Sequence, residues 1–312
     1  MRRVLPILVV VAAIVALWYA AVAPMNIHTV LDQAARDGME VTPADATVRR
    51  DMGGIALALQ NPEAIPLTYA QERPQLPAPH QVVEELWSTT VEQNVTSRRS
   101  LVYHAWITLS ATVLGFAIGT SIGILLAIGI VHNRAMDMSV MPWAIISQTI
   151  PIVALAPMIV VLSNSLGLGE RLGLDNRLVS KTIIAAYLSF FPVLVGMVTG
   201  LRSPEAAHVD LLHTYSASGS QAFWKLRLPA SVPYLFASLK VAIAAALVGA
   251  IVGELPTGAV EGLGARMLVA SQFGQPLLMW ASLFMAAIVA GVLILGVGAI
   301  QRVADARMGV RP

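Results

Sequence analysis

The chain has 312 residues, of which 56% are hydrophobic and only 12% are charged, and its mean hydropathy is +0.72. These values exclude an ordinary soluble domain and predict a polytopic membrane protein. The net charge of +2 is too small to indicate a nucleic-acid partner. The absence of cysteine excludes disulfides, thiolate metal sites and cysteine nucleophiles.

The first apolar stretch runs from Val4 to Ala23 and follows Arg2 and Arg3. Its length and its positive flank predict a first transmembrane helix with the N-terminus inside. A cleaved secretory signal is the alternative, because Ala21-Val22-Ala23 has the small-x-small form of a cleavage site.

Five further apolar spans follow, so the sequence predicts about six transmembrane helices. Nine Lys and Arg lie in the segments predicted to be inside and four in the short outside loops, which supports this orientation. The later spans lie at about His104–Val131, Ser139–Leu162, Thr182–Leu201, Tyr234–Glu254 and Leu277–Ile300. The predicted parts are a first helix (1–23), a periplasmic loop and lead-in (24–103), a five-helix core (104–300) with a cytoplasmic segment (202–233), and a cytoplasmic tail (301–312).

The third span contains Pro151 and Pro157, which interrupt the hydrogen bonds of a helix, and the polar residues Gln148 and Thr149 beside them. Such breaks are tolerated in a membrane only where protein or a water-filled cavity surrounds them. These four residues are therefore candidates for a translocation path, with a structural kink as the alternative. Glu254, at the outer end of the fifth span, is a further candidate, and its alternative is a helix-end acid facing lipid headgroups.

The segment 202–233 is long, polar and strongly patterned. Ser203-Pro204-Glu205 is typical of a helix start and predicts a short helix of about three turns. Ser216–Gly219 should interrupt that helix, and a second short helix should cover Gln221–Leu228 and end at Pro229. An ordinary interfacial loop is the alternative.

This segment resembles the cytoplasmic signature loop of the permease subunits of binding-protein-dependent ABC importers, Glu-Ala-Ala-x3-Gly-x9-Ile-x-Leu-Pro. With Leu228-Pro229 as the anchor, Leu226 lies at the family's Ile, Ser216 at its Gly and Asp210 at its Glu, so all three positions are substituted. Glu205-Ala206-Ala207 matches the family's Glu-Ala-Ala tripeptide, but it lies too far before Leu228-Pro229 to be in the register of the signature. The resemblance implies a coupling helix that docks on an ATPase subunit. The residues implied in coupling are Asp210, Ser216, Gly219, Phe223, Leu226, Leu228 and Pro229.

Other segments resemble the nitrate, sulfonate, taurine and thiamine-precursor (pyrimidine) branch of these permeases. They are Leu76–Trp87, Ser180–Leu201, and Val248–Glu254 followed by Gly262-Leu263-Gly264. The resemblance covers roughly Leu76 to Ile300. It implies an all-α membrane protein with the type I ABC importer permease fold and a multi-pass location in the bacterial inner membrane.

The implied function is the transmembrane subunit of an ATP-driven importer, which forms the path for a small organic solute such as a pyrimidine-type vitamin precursor. The implied partners are an ATP-binding subunit dimer, a periplasmic or lipid-anchored substrate-binding protein, a second permease copy and membrane lipid. No cofactor or metal is expected on this chain, and ATP and Mg²⁺ belong to the partner ATPase. The sequence agrees in lacking a Gly-x4-Gly-Lys-Ser/Thr phosphate loop, so the chain itself is not expected to be an enzyme.

Two alternatives come from other functional classes. An ion-coupled secondary transporter would normally carry ionisable groups within its spans, and the middles of these spans lack them. A membrane-anchored sensor or assembly protein would work through residues 24–103 and would leave five spans unexplained.

Overall fold

The structure is a computed structural model that describes residues 4–256, 258 and 261–308, and these residues form helices and turns. Arg2, Arg3 and Arg311, which contributed to the predicted orientation, lie outside this part. The helices are α1 (Val4–Arg36), α2 (Ala46–Asp51), α3 (Gly54–Gln60), α4 (Ile65–Thr68), α5 (Pro79–Trp87), α6 (Leu101–His132), α7 (Arg134–Ser147), α8 (Ile152–Ser165), α9 (Leu168–Leu172), α10 (Asn176–Leu201), α11 (Ala206–Thr214), α12 (Gly219–Ala222), α13 (Leu228–Glu254), α14 (Leu263–Gln272) and α15 (Pro276–Arg307).

Within the described residues, five helices are long and apolar enough to cross a membrane. They are α1, α6, α10, the continuous helix Gly219–Glu254 and α15. Helices α7 and α8 pass the same test only as a pair and are bent by 101° at the break between them. With the bent pair counted as one span, the number is six, as the sequence predicts.

The chain divides into two compact units, and the first contains the described residues up to Val102 together with Arg266–Met285. In this unit, α1 continues as a helix past Ala23, and its second half packs Ile27 and Leu31 against Leu57 of α3. Asn26 is fully buried there and bonds three backbone groups, the carbonyl oxygens of Thr68 and Leu76 and the N–H of Leu76. Much of the stretch after the first span is therefore a folded helical lobe.

Prolines begin several turns of this lobe. The sequence predicts an extended stretch punctuated by Pro62, Pro66, Pro74, Pro77 and Pro79. The structure corrects this at the first two, since Pro62 starts a 3₁₀ turn and Pro66 lies in the first turn of α4, whereas Pro74 and Pro77 lie in a stretch without helix. Proline is tolerated at these positions because the first turn of a helix has no intrahelical partner for the missing N–H, and its fixed φ suits a helix. Pro79 starts α5 in the same way.

The second unit contains Tyr103–Ala265 and the described residues from Ala286 onward, and glycines bring its three central helices into close contact. The four-residue spacing of Gly115, Gly119 and Gly123 predicts a close-packing face. In the structure a Cβ at Gly123 would lie 2.7 Å from the carbonyl oxygen of Phe190, so the backbones of α6 and α10 touch directly. Gly249 of α13 meets the backbone of α10 in the same way, which confirms the prediction of close packing and extends it to a second helix pair.

Candidate functional site

The predicted cytoplasmic segment contains the expected helix α11, but its start differs from the prediction. The residue before the helix is Glu205, and its side chain makes no capping bond. Ser203 does not cap α11 either, because its hydroxyl donates to the carbonyl of Gly200 at 2.8 Å. A residue that precedes proline disfavours the helical conformation, so Ser203 stays with the end of α10, where free carbonyls need donors.

Helix α11 ends in a left-handed turn at Ser216, whose φ is 55°. The N–H of Ser216 donates to the carbonyl of His213 and the N–H of Ala217 to that of Leu212, which is the Schellman arrangement. Glycine is the usual residue at this position of the motif because it has no Cβ. Ser216 therefore adopts the backbone conformation that the family's Gly would favour, which agrees with the register anchored at Leu228-Pro229.

The second helical piece begins with a capping box, since Ser218 bonds the N–H of Gln221 and the Gln221 side chain bonds the N–H of Ser218. Phe223 is the buried residue of this piece, and its ring packs edge-on against His132 of α6. These side chains tie the turn 216–219 to the end of the second span.

The second helix does not end at Pro229, as the sequence predicted, but continues without interruption to Glu254. A turn of π-helix over Phe223–Arg227 precedes α13 and moves the hydrogen bonding to i→i+5. Pro229 directly follows this π turn, where the regular i→i−4 bonding is already shifted, so its missing N–H is accommodated without ending the helix. The predicted coupling residues Leu226, Leu228 and Pro229 thus belong to the base of one long helix.

The broken third span places the four predicted path residues around the bend between α7 and α8. Thr149, Pro151 and Pro157 are exposed in the single chain, and Gln148 is half-buried. The hydroxyl of Thr149 donates to the carbonyl of Ile146 at 2.8 Å. Part of the hydrogen bonding lost at the break is therefore restored by the chain itself.

A residue that the sequence analysis did not identify supplies a hydrogen-bond donor at the break. Because Pro151 has no N–H, the carbonyl of Ser147 lacks the donor that a continuing helix would supply. The hydroxyl of Tyr187, on α10, donates a hydrogen bond to that carbonyl. Tyr187 lies 40 positions along the chain, so no local pattern could have revealed it.

Glu254 lies inside the packed helices of the second unit and is only 1% exposed. Its carboxylate accepts hydrogen bonds from the Thr108 hydroxyl at 2.8 Å and from the N–H of Gly264 at 2.7 Å. Lys181 Nζ lies 3.4 Å from the same carboxylate, and this side chain is also buried. The structure thus places Glu254 within a polar cluster formed by α6, α10, α13 and the start of α14, whereas the residues at the break of the third span are exposed.

The coupling residues are brought together differently from the path residues. Asp210, Ser216 and Gly219 are exposed on one short segment, and only Phe223 of the coupling set is buried. An ion pair of 2.9 Å between Arg202 and Asp137 joins the start of this segment to α7. Both partners are partly exposed, so this pair adds little stability.

Comparison with known proteins gives matches over the core of the chain. The family described as "Binding-protein-dependent transport system inner membrane component" matches residues 119–310. A probable ABC transporter permease protein of Haemophilus influenzae is 32% identical over 192 residues, which cover 62% of this chain and 74% of that protein.

Two relatives carry more specific names. The formylaminopyrimidine transport permease protein ThiX of Halalkalibacterium halodurans is 33% identical over 205 residues, covering 64% of this chain and 73% of ThiX. The riboflavin transport system permease protein RibX of Chloroflexus aurantiacus is 29% identical over 227 residues, covering 73% of this chain and 78% of RibX.

Proposed function

The chain belongs to the family of inner-membrane components of binding-protein-dependent transport systems, and we propose that it forms half of the substrate path of an ATP-driven importer. Membership confirms the predicted resemblance, the all-α type I permease fold with about six spans, and a multi-pass location in the inner membrane. The chain is an ABC importer permease subunit, a transport component and not an enzyme. Neither the secondary transporter nor the sensor accounts for these matches.

The observation that carries the proposal is that α11 has no buried residue. It is a helix of nine residues, too short to be stable alone in water. Leu211 is 53% exposed and Tyr215 is 76% exposed, so apolar surface faces outward from this segment. These features support docking of α11 on an ATPase subunit, which would bind the ATP and Mg²⁺.

The path from this segment into the membrane supports a mechanical role. Because the helix is continuous from Gly219 to Glu254, a displacement of α12 would move the whole of α13 as a rigid body. Gly249 and Gly200 hold α13 and α10 in backbone contact, so α10 would follow. Closure of an ATPase dimer would in this way rock the two permease copies between inward-open and outward-open arrangements.

We assign the path to the broken third span, where Thr149, Pro151 and Pro157 are exposed and available to a second copy of the chain. The charges of Lys181 and Glu254 face each other, and Lys240, near the cytoplasmic end of the fifth span, is the other charged residue within the predicted spans. The middles of these spans therefore carry no ionised group to hold a bare anion. This supports a neutral or zwitterionic heterocycle as cargo, brought by a periplasmic or lipid-anchored binding protein. The similarity to ThiX, whose name states formylaminopyrimidine transport, supports a pyrimidine-type compound.

The cargo is tested by uptake into proteoliposomes that contain the complex and its binding protein. We expect uptake of a formylaminopyrimidine to exceed that of taurine, an aliphatic sulfonate or nitrate, and we expect Gln148→Ala and Thr149→Val to reduce it. Clear preference for nitrate or a sulfonate, with both substitutions silent, would contradict the assignment.

The coupling role is tested by two substitutions on the same exposed segment. Asp210→Arg should abolish uptake and the stimulation of ATP hydrolysis by loaded binding protein, while the subunit still inserts. Glu205→Ala is the control, since Glu205 is also exposed but lies outside the signature register. Equal losses in both variants would mean that the register is wrong.

A further inference from the structure

Three consecutive backbone N–H groups at the start of α14 are each bonded by a side chain from another helix. The N–H of Gly262 donates to His104 Nδ1 at 3.0 Å, and the N–H of Leu263 donates to the Thr108 hydroxyl oxygen at 2.9 Å. The N–H of Gly264 donates to the Glu254 carboxylate at 2.7 Å. The first turn of a helix leaves such N–H groups without intrahelical partners, so α6 and α13 together cap α14.

The fit of this cap requires glycine on both sides of Leu263. Gly262 has a φ of 123°, a region that other residues rarely adopt, and a Cβ there would collide with the Glu254 carboxylate. At Gly264 a Cβ would lie 3.0 Å from Glu254 Oε2. The backbone therefore approaches the carboxylate as closely as it can, and the turn and Glu254 form one packed unit.

Lys181 of α10 completes the cluster, because it neutralises the charge of Glu254. The two side chains are buried, and the carboxylate also accepts the hydrogen bond of the Thr108 hydroxyl. Removal of one partner from a buried ion pair leaves an uncompensated charge and is strongly destabilising, whereas replacement of both partners is often neutral. Glu254 is therefore held by partners within its own chain, a geometry that suits a positioning residue better than a substrate ligand.

We propose that Glu254 and Lys181 form a latch, together with His104 and Thr108, that fixes the start of α14 to the ends of α6, α10 and α13. The role of this latch in transport rests on the proposed function. Helix α13 begins at the predicted coupling segment and ends at Glu254, so the latch connects its movement to α14, the segment between the fifth and sixth spans. Glu254 thus acts on transport through the position of α14.

The latch can be tested by the accessibility of a buried residue. Ala265 is 1% exposed and follows the capped turn, and the chain has no native cysteine to interfere. In membrane vesicles, Ala265→Cys should react slowly with N-ethylmaleimide, and Glu254→Gln should raise that rate at least about tenfold by leaving Lys181 unpaired. Ala127→Cys, buried elsewhere on α6, is the control and should stay protected in both backgrounds.

A second variant separates a latch from a substrate ligand. Adding Lys181→Gln to Glu254→Gln removes both charges and leaves two amides that can bond each other and the N–H of Gly264. We expect the double variant to recover protection of Ala265→Cys and a large part of the uptake lost in Glu254→Gln. A substrate ligand would not be rescued in this way.

Several results would overturn the latch. The first is unchanged protection of Ala265→Cys in the Glu254→Gln background. The second is failure of the added Lys181→Gln to restore that protection. The third is equal exposure of Ala265→Cys and Ala127→Cys in Glu254→Gln, which would mean that the Lys181–Glu254 pair stabilises the whole subunit. The labelling needs no transport activity. If the wild-type complex shows no uptake, the proposed function fails while the labelling still decides the latch.

Discussion

Replacing Gly249 by alanine should loosen the contact between α13 and α10. A Cβ at this position would lie 2.8 Å from Ala185 Cα and 3.0 Å from the carbonyl oxygen of Ile184, both backbone atoms of α10. Backbone atoms cannot move aside as the tip of a side chain can, and overpacking of this kind costs about 1–3 kcal/mol. The better helix propensity of alanine offsets about 0.5–1 kcal/mol of that. The free energy of unfolding should therefore fall by about 0.5–2 kcal/mol.

Gly296→Ala in α15 is the matched control, because open space surrounds the position of its Cβ. This variant gains helix propensity without a clash and should be at least as stable as the wild type. Unfolding of the three proteins in mixed micelles, followed by tryptophan fluorescence during SDS titration, measures the difference. If Gly249→Ala proves as stable as Gly296→Ala, the direct backbone contact between α13 and α10 is wrong.

Three further changes test local features of the structure. Ser216→Gly should stabilise α11 and its C-terminal turn by about 1 kcal/mol, because glycine adopts the left-handed conformation without a Cβ penalty. Hydrogen exchange of the α11 amides should then slow, and faster exchange would contradict the turn. Tyr187→Phe should lower the free energy of unfolding by about 1–3 kcal/mol, because the Ser147 carbonyl loses its donor, whereas Tyr215→Phe, on an exposed residue, should have no effect in the same assay. Asp45 caps α2 by accepting from the backbone N–H and the hydroxyl of Thr47, and these bonds lower the pKa of its carboxyl. Because the folded-state pKa is lowered, the stability lost in Asp45→Ala should be largest above about pH 5 and should disappear as the pH falls below about 4. Thermal unfolding of both proteins across this range checks the trend. A difference in stability that does not depend on pH would exclude the charged cap.

Features that depend on neighbouring residues could be predicted from the sequence. The number of spans follows from hydropathy, which is a sum along the chain, and the close packing of α6 follows from glycines one helical turn apart. The break at Pro151 follows from a missing N–H. The stop of α11 at Ser216 follows from turn chemistry and from the signature register, and the structure agrees with both.

Predictions from the local sequence were wrong where two local effects compete for the same residue. Ser203 satisfies the pattern of an N-cap, but the unpaired carbonyls at the end of α10 are nearer and take its hydroxyl. Pro229 satisfies the pattern of a helix end, but the π turn directly before it shifts the hydrogen bonding, so the helix continues past the missing N–H. Pro62, Pro66 and Pro79 begin helical turns of the lobe, because the first turn of a helix tolerates a missing N–H.

The chemistry of the buried groups was decided by the tertiary structure alone. The sequence indicates that Glu254 is an unusual acid at the end of a span, but its pairing with Lys181 joins residues 73 positions apart, and the bond from Tyr187 to Ser147 spans 40. Such pairs depend on which faces of two helices meet and on how closely the backbones approach. Hydropathy and spacing along one helix determine that it is buried and do not determine which polar groups face each other once it is packed.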